Sequence, residues 1–272
     1  MTGSNPNPEK TRMAAAFDRI APQYEGLRFV HVCARQLLEL AGLEAGMRVL
    51  DVGTGTGLVA LAAAGTVGKH GSVVGMDFSP RMLHEAKKRL EATGLQNVRF
   101  LEGDAESLEF PDDSFDIVLC ASALFFVPDM TRAVQEFHRV LKPGGKAGFS
   151  GFGVGFLSPL TELLSARLET HGMPPAKPPV GRLANPDACR NLLEQAGFTG
   201  VKVSSTQLGY HHTDFESRWA EIVAGLEGMP LGKLSPENLE RAKAEHRTEL
   251  EGLFTSDGLW TNVPANFAFG TK

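Results

Sequence analysis

Short apolar runs alternate with stretches of helical spacing along most of this chain of 272 residues. The expected strands cover residues 48–52, 73–77, 98–102, 115–121, 146–151, 201–207 and 262–270. Helices are expected between the strands at residues 57–64 and 80–93 and at residues 185–196. A further helix is expected to follow the loop at residues 128–129 and to end near residue 140. Strands that alternate with helices in this way predict an α/β fold built on a doubly wound, mostly parallel sheet.

The last expected strand has a different pattern from the others. Along residues 262–270 an apolar side chain recurs at every second position, at Val263, Ala265, Phe267 and Phe269. Strict alternation predicts a strand with one buried face, which is typical of antiparallel pairing. We therefore expect the sheet to end in an antiparallel strand.

Three segments lie outside the alternating core at residues 43–152. Residues 1–42 predict a helical cover, and residues 153–184 an insertion or lid whose stretch 172–179 is too rich in proline for a helix. Residues 185–272 return to the core and carry an insertion at 208–258, with helices expected at 215–226 and 235–254. An insertion there would roof the crevice at the carboxyl ends of the strands, where such sheets bind ligands.

A turn with three alternating glycines follows the first strand. Gly53, Gly55 and Gly57 come directly after it, whereas the dinucleotide pattern would need a glycine at Leu58. Asp51 precedes this turn, where a carboxylate repels a pyrophosphate and attracts an ammonium group. Asp77 ends the second strand, at the place where such folds bind both ribose hydroxyls. The pattern indicates a ligand that contains a ribose and is not a dinucleotide.

With these motifs the chain resembles the class I S-adenosylmethionine-dependent methyltransferases, in particular the group of the ubiquinone and menaquinone C-methyltransferases (type 11). The resemblance extends from about residue 17 to 150. Its motifs are Phe17 to Tyr24 (FDRIAPQY), the glycine turn, Asp77, Gly103 to Glu106 (GDAE), Phe115 to Val118 (FDIV) and Val140 to Gly145 (VLKPGG). The family implies a seven-stranded Rossmann-like sheet in the order 3-2-1-4-5-7-6. Thr54 departs from the group's usual cysteine, and a small polar residue fits the same turn.

The resemblance implies S-adenosylmethionine as cofactor and S-adenosylhomocysteine as product. Asp77 would bind the ribose, Asp104 would accept from the adenine amino group unless it only forms a turn, and Tyr24 would close over the methionine end. Asp51 would face the ammonium group. The full expected cofactor set is Tyr24, Asp51, Gly53, Thr54, Gly55, Gly57, Asp77, Phe78, Met82, Asp104, Ala105, Glu106, Ala121 and Ser122.

The acceptor side shows a second departure from the family. Phe125 and Phe126 stand where the family loop often has two histidines, and Trp219 and Tyr210 lie in the insertion. We expect these four aromatic residues to bind a neutral or apolar small molecule, although Trp219 is explained equally well as an anchor of the insertion. His211, His212 and His31 are weak candidates for a general base, and no catalytic residue is assigned.

Charge and cysteine usage narrow the classes of partner. The net charge is −5 and no basic run occurs, which argues against nucleic-acid binding. Residues 121–124 (ASAL) also lack the Asn/Asp-Pro-Pro-Tyr/Phe motif of base methyltransferases. Cys33, Cys120 and Cys189 have no metal-ligand spacing, so we expect packed thiols and no metal.

The remaining features concern location and assembly. Residues 1–10 lack the apolar core of a signal peptide, and no apolar run has membrane-spanning length, so we expect a cytoplasmic protein without an integral membrane segment. The oligomeric state stays open, with a homodimer among the options.

The sequence therefore predicts an S-adenosylmethionine-dependent methyltransferase that modifies an oxygen, carbon or nitrogen atom of a small, partly apolar or aromatic molecule. Two alternatives stay open. One is a protein with the same fold and a non-methylating or regulatory role, and the other is a macromolecular methyltransferase.

Overall fold

The computed structural model describes residues 7–173 and 179–272; the rest of the proline-rich stretch, residues 174–178, lies outside them. The α-helices are α1 (Pro8–Ile20), α2 (Arg28–Ala41), α3 (Leu58–Val67), α4 (Pro80–Thr93), α5 (Met130–Val140), α6 (Leu160–Thr170), α7 (Pro186–Gln195), α8 (Phe215–Ala224) and α9 (Pro236–Glu251). The strands are β1 (Arg48–Val52), β2 (Ser72–Asp77), β3 (Val98–Glu102), β4 (Phe115–Cys120), β5 (Leu141–Phe152), β6 (Thr199–Gln207), β7 (Tyr210–His212), β8 (Phe254–Thr255), β9 (Gly258–Thr261) and β10 (Pro264–Thr271). Short 3₁₀ segments cover Ala21–Gly26, Leu124–Phe126, Pro179–Leu183 and Leu226–Lys233.

The main sheet has seven strands in the order β3-β2-β1-β4-β5-β10-β6. The first five strands pair in parallel, and β10 pairs antiparallel with both β5 and β6. Since β10 is the seventh strand of this sheet along the chain, the predicted order 3-2-1-4-5-7-6 is confirmed, as is the antiparallel last strand. The carboxyl ends of β1, β2, β3 and β4 meet at one edge.

Local sequence explains several helix starts. The Ser79 hydroxyl accepts from the Met82 backbone N–H at 3.1 Å, and Pro80 occupies the first turn of α4. Asp129 caps α5 by accepting from the Arg132 backbone N–H at 2.9 Å. These caps satisfy backbone donors that a helix start leaves open. They fix where the chain turns away from the sheet edge that carries the glycine turn.

Apolar side chains fill both sides of the main sheet. Phe125, Phe137, Phe149 and Phe267 are each at most 1% exposed. The three cysteines are buried and unpaired, as expected from their spacing. Burial of large aromatic side chains is the main source of stability for a core of this kind.

The insertion after β6 differs from its prediction. Helices α8 and α9 form near the expected places, but β7, β9 and β8 also pair into a small antiparallel sheet. Helices α6, α8 and α9 share a second apolar core, which includes Leu164, Trp219 and Leu250. The insertion is thus a packed unit with its own core.

None of the described helices combines the length and the apolar composition that crossing a membrane requires.

Candidate functional site

The turn after β1 lies against the end of β2. Gly53 donates its backbone N–H to the Met76 carbonyl oxygen at 2.8 Å. Its φ is 70°, and a Cβ there would lie 2.5 Å from the Ala123 methyl group. A Cβ at Gly55 would make only an ordinary contact with Tyr24 Cε1, at 3.7 Å, but the φ of Gly55 is 55°. Glycine is therefore required at Gly53 for space and conformation, and at Gly55 for conformation.

Asp77 holds this turn from the end of β2. Its Oδ2 accepts from the Gly55 backbone N–H at 2.8 Å, and its Oδ1 from the Ser79 backbone N–H at 2.9 Å. Burial raises the pKa of Asp77, and these backbone donors act in the opposite direction. Each carboxylate oxygen can accept a further hydrogen bond. Two ligand hydroxyls at this point would restore hydrogen bonds that burial removes.

A lysine that the sequence did not single out lies over the loop after β3. Lys10 Nζ, on α1, contacts Asp104 Oδ2 at 2.6 Å and Glu106 Oε2 at 2.5 Å. Asp104 Oδ1 also accepts from the Glu106 backbone N–H at 3.0 Å. The Asp104 carboxylate thus forms a turn, as its alternative reading had it, and binds a cation from the N-terminal helix.

Asp51 lies beneath the glycine turn and is 1% exposed. Its Oδ2 accepts from the Thr54 hydroxyl at 2.6 Å, whereas its Oδ1 has no hydrogen-bond partner among the described residues. Burial raises the pKa of Asp51 to about 7. An ammonium group or a water beneath the turn would supply the missing partner.

Ser122 follows β4 in a strained backbone conformation, with a φ of 50°. Its backbone N–H donates to the Ser150 hydroxyl at 2.9 Å on the neighbouring strand β5. A residue other than glycine in this conformation persists only where surrounding structure holds it, which is frequent at binding sites.

Two cavities open at this edge of the sheet. The first, of about 120 Å³, follows the glycine turn, the end of β2 and the loop after β3. The expected cofactor residues that line it are Tyr24, Gly53, Gly55, Asp77, Phe78, Met82, Asp104, Ala105, Ala121 and Ser122. Those that do not line it are Asp51, Thr54, Gly57 and Glu106, which lie behind the lining residues or bind them. We call this space the nucleotide cavity.

The second cavity is larger, about 440 Å³, and mostly apolar. Its walls come from α1, α2, the end of β5, α6 and the segment Leu226–Lys233. We call it the apolar cavity. Both cavities are lined by the same five side chains, which are Met13, Phe17, Tyr24, Ser122 and Phe126. The two spaces therefore meet at a shared wall of side chains.

Three of the four aromatic residues expected to bind the acceptor do not line either cavity. Phe125 is fully buried in the main core, and Trp219 is buried in the core of the insertion. The Tyr210 hydroxyl donates to Glu221 Oε1 at 2.5 Å inside the protein. Only Phe126 faces the cavities. The insertion uses its aromatic side chains for its own packing, a role that composition alone does not distinguish from ligand binding.

The three candidate histidines also lie away from both cavities. His212 Nε2 is 2.9 Å from Glu221 Oε2 in the buried part of the insertion. His211 packs on Trp260, with ring centroids 4.9 Å apart. His31 Nε2 is 2.9 Å from the Glu25 carbonyl oxygen. Each ring has a structural contact, so these histidines carry no argument for a general base.

Several lining residues of the apolar cavity were not assigned from sequence. Met13 and Phe17 on α1, Phe29 on α2, and Phe152 and Phe156 at and after the end of β5 all line it. The apolar spacing of α1 was the available indication, since Met13, Phe17 and Ile20 lie three or four positions apart.

Known proteins match the sequence of the core. Residues 49–145 match the model of a family described as a methyltransferase domain. A demethylmenaquinone methyltransferase of Geobacillus kaustophilus is 38% identical over 143 residues, which are 50% of this chain and 61% of that protein. An aklanonic acid methyltransferase of a Streptomyces species is 35% identical over 143 residues, which are 52% of this chain and 65% of that protein. The chain thus spans less than two thirds of the length of these curated relatives.

Solved structures share the fold over most of the chain. The YcgJ protein of Bacillus subtilis superposes with a TM-score of 0.60 at 23% identity, covering 89% of this chain and 98% of its own. A methyltransferase structure from Thermotoga maritima gives a TM-score of 0.57 at 22% identity, covering 95% and 99%. The shared architecture therefore includes segments beyond residues 49–145.

Proposed function

We propose that this protein transfers a methyl group from S-adenosylmethionine to a small, partly apolar molecule, and that residues 49–145, which match a methyltransferase domain, bind the cofactor. The acceptor atom is an oxygen, carbon or nitrogen atom. The proposal concerns the whole chain, including the segments outside the matched residues.

One observation carries the proposal. The nucleotide cavity and the apolar cavity meet at Met13, Phe17, Tyr24, Ser122 and Phe126. Methyl transfer needs a cofactor and an acceptor in contact, with water excluded from the point of contact. A cavity lined by the carboxylates of Asp77 and Asp104, joined to a larger one that these carboxylates do not line, supports this division of roles.

The residues of the nucleotide cavity fit S-adenosylmethionine. Asp77 offers two carboxylate oxygens to a pair of vicinal hydroxyls, while Met76 and Phe78 line the cavity beside it and offer apolar surface to an adenine ring. The unpartnered Oδ1 of Asp51 suits a positively charged amino group beneath the turn. Gly55, whose φ of 55° favours glycine, leaves room for close approach of the ligand.

When bound, S-adenosylmethionine would supply a methyl group on a sulfonium, which departs as a neutral thioether when an acceptor atom attacks in line. The chain's own residues bind and orient the reactants. Burial raises the pKa of Tyr24, so its phenol stays protonated, and Ser122 Oγ is 3.2 Å from the Ser150 hydroxyl. The shared wall of five side chains contains no histidine or carboxylate. An acceptor that starts protonated would therefore have to release its proton to water or to a group outside this wall.

The names of the relatives support a small-molecule acceptor. The Geobacillus protein is named for demethylmenaquinone and the Streptomyces protein for aklanonic acid. A macromolecular acceptor is less well supported, because the apolar cavity is lined mainly by Leu, Phe, Val and Met side chains. A purely regulatory role would not require an apolar cavity at the methyl end of the cofactor.

The test is turnover measured as S-adenosylhomocysteine release from the full chain. We expect turnover with a panel of hydroxylated naphthoquinones and aromatic acids, and none with duplex DNA or transfer RNA. Asp77→Ala should lower the affinity for S-adenosylhomocysteine, measured by calorimetry, by an amount that corresponds to about 1.5–3 kcal/mol, because the ribose hydroxyls lose a charged acceptor.

Asp257→Ala is the matched control, because this carboxylate is exposed and lies outside both cavities. It should leave cofactor affinity unchanged. Unchanged affinity in a folded Asp77→Ala protein would refute the ribose assignment. Methylation of nucleic acid alone, with strong dependence on salt, would refute the small-molecule acceptor.

A further inference from the structure

The apolar cavity contains few charged residues. Among its described lining residues the charged ones are Arg19, Glu227 and Lys233. Arg19 is in the last turn of α1, and Lys233 ends the segment Leu226–Lys233. None of these three lines the nucleotide cavity. The three charged residues therefore belong to the part of the apolar cavity that the nucleotide cavity does not share.

Glu227 is already neutralised by the protein. Both of its carboxylate oxygens accept from Arg218 Nη2 at 3.0 Å, and Oε1 also accepts from the Thr161 hydroxyl at 3.0 Å. Arg218 is fully buried. A carboxylate held by a buried guanidinium has little capacity to pair with a cationic ligand.

Arg19 and Lys233 form no ion pair with any residue in the described ranges 7–173 and 179–272. The carboxylate next to Arg19 in sequence, Asp18, accepts instead from the Ser79 hydroxyl and the Arg81 backbone N–H, at 2.6 and 3.2 Å. Both cations are exposed at the cavity. The chain as a whole has a net charge of −5, so two uncompensated cations at one apolar cavity are not a reflection of a basic surface.

We propose that the acceptor is an amphiphilic anion, with an apolar body in this cavity and a carboxylate-like group that pairs with Arg19 and Lys233. The inference rests on the proposed function, because it assigns the apolar cavity to the methyl acceptor. A ligand cavity of this kind uses apolar walls for affinity and a few charged groups for orientation. Because neither cation belongs to the shared wall, the anionic group orients the acceptor and is not the atom that receives the methyl group.

The test uses two fluorescent probes of similar shape that differ in one charged group. 1-Anilinonaphthalene-8-sulfonate carries a sulfonate, and N-phenyl-1-naphthylamine lacks it. Both are titrated into the full chain saturated with S-adenosylhomocysteine. The double variant R19Q/K233Q should weaken sulfonate binding about tenfold and leave the neutral probe within about twofold.

Two further variants identify the site. R12Q/K69Q removes two exposed cations that line neither cavity, and it should leave both affinities unchanged. S165W places a large ring in the cavity and should weaken both probes. Melting temperatures confirm that each variant is folded.

Equal loss of sulfonate binding in R12Q/K69Q and R19Q/K233Q would overturn the proposal, because the effect would then be general electrostatics. Unchanged sulfonate binding in R19Q/K233Q would also overturn it, and would leave Arg19 as a residue that only complements the α1 dipole. Absence of turnover would count against the proposed function. It would not alter the probe result, so the two failures are distinguishable.

Discussion

At the scale of single residues, Asp51 and Thr54 form a buried hydrogen-bonded pair at the glycine turn. Thr54 replaces the cysteine usual in the resembled group, and its hydroxyl donates to Asp51 at 2.6 Å. A hydroxyl is a stronger hydrogen-bond donor than a thiol. The substitution therefore gives the buried carboxyl a firm partner on one oxygen and leaves the other oxygen unpaired.

The raised pKa of Asp51 predicts a pH dependence of stability. The pKa of Asp51 is about 7 in the folded protein, whereas the ordinary pKa of an aspartate is 3.8. Between these two values the folded protein keeps a proton that the unfolded chain releases. Stability from this group is therefore lost as pH rises from about 4 to 7, with a limiting slope of roughly 1.4 kcal/mol per pH unit.

Asp51→Asn isolates this contribution, because the amide keeps the shape and can still accept from Thr54. The difference in free energy of unfolding between variant and parent should move in favour of the variant as pH rises from 4 to 7. Denaturant titrations without ligand at several pH values measure it. A difference that stays constant over this range would contradict the raised pKa.

Local residue signals explain why part of the site could be predicted. Asp77 and the glycines are positioned by one strand end and one tight turn, which short motifs specify. Lys10 could not be predicted, because its partner Asp104 lies 94 positions along the chain and the contact depends on where α1 docks. In the sequence, a single lysine in a polar helix has no feature that identifies it as part of a site.

At the scale of elements, α1 and the 3₁₀ segment Ala21–Gly26 cover the nucleotide cavity. The Ser79 hydroxyl donates to Asp18 at 2.6 Å, and Lys10 contacts the loop after β3. Glu25 accepts from the Thr56 hydroxyl and pairs with Arg89. Polar contacts of this kind at a partly exposed surface contribute little individually, so the cost of opening this cover comes mainly from the apolar packing of Phe17, Ile20 and Tyr24 around Met82.

We expect this cover to become more ordered when cofactor binds. Hydrogen exchange in residues 17–28 should slow on addition of S-adenosylhomocysteine, because the ligand adds contacts to Phe17 and Tyr24. Helix α7 lines neither cavity and provides the internal reference. Identical exchange of residues 17–28 with and without ligand would indicate a rigid wall.

Some elements of the insertion could not be predicted from the sequence. Helices α8 and α9 were predicted from their spacing, but β7, β8 and β9 are only three, two and four residues long. Strands this short carry no usable periodicity, and their pairing joins His211 to Trp260 across the whole insertion. The segment Leu226–Lys233, which lines the apolar cavity, contains a proline and is stabilised by tertiary packing.

At the scale of the whole molecule, the loss of an aromatic side chain from a cavity can be compared with the loss of one from a core. Phe126 lines both cavities, and Trp219 lies in the core of the insertion. Trp219→Ala should lower the free energy of unfolding by about 3–5 kcal/mol, as large-to-small core changes do. Phe126→Ala should raise the acceptor KM or lower kcat with a smaller loss of stability.

Steady-state kinetics and thermal melts on both variants make the comparison. Each variant is the control for the other. Trp219→Ala should mainly lower the melting temperature, whereas Phe126→Ala should mainly change the acceptor KM or kcat. A Trp219→Ala protein that kept its melting temperature but lost acceptor affinity would show that Trp219 binds the acceptor. The sequence left these two roles open for Trp219, and its packing now favours the anchor.

The position of β10 also has a consequence for how the chain reaches its fold during synthesis. β6 has no pairing with β5 and joins the main sheet only through β10, which lies between them. A ribosome makes β6, α8 and α9 before it makes β10. The edge of the nascent sheet at β5 therefore stays open until residues 264–271 emerge, and β6 waits unpaired for the same event. Completion of the main sheet thus waits until β10 leaves the ribosome, and a nascent chain stalled before it would expose two strand edges to chaperones.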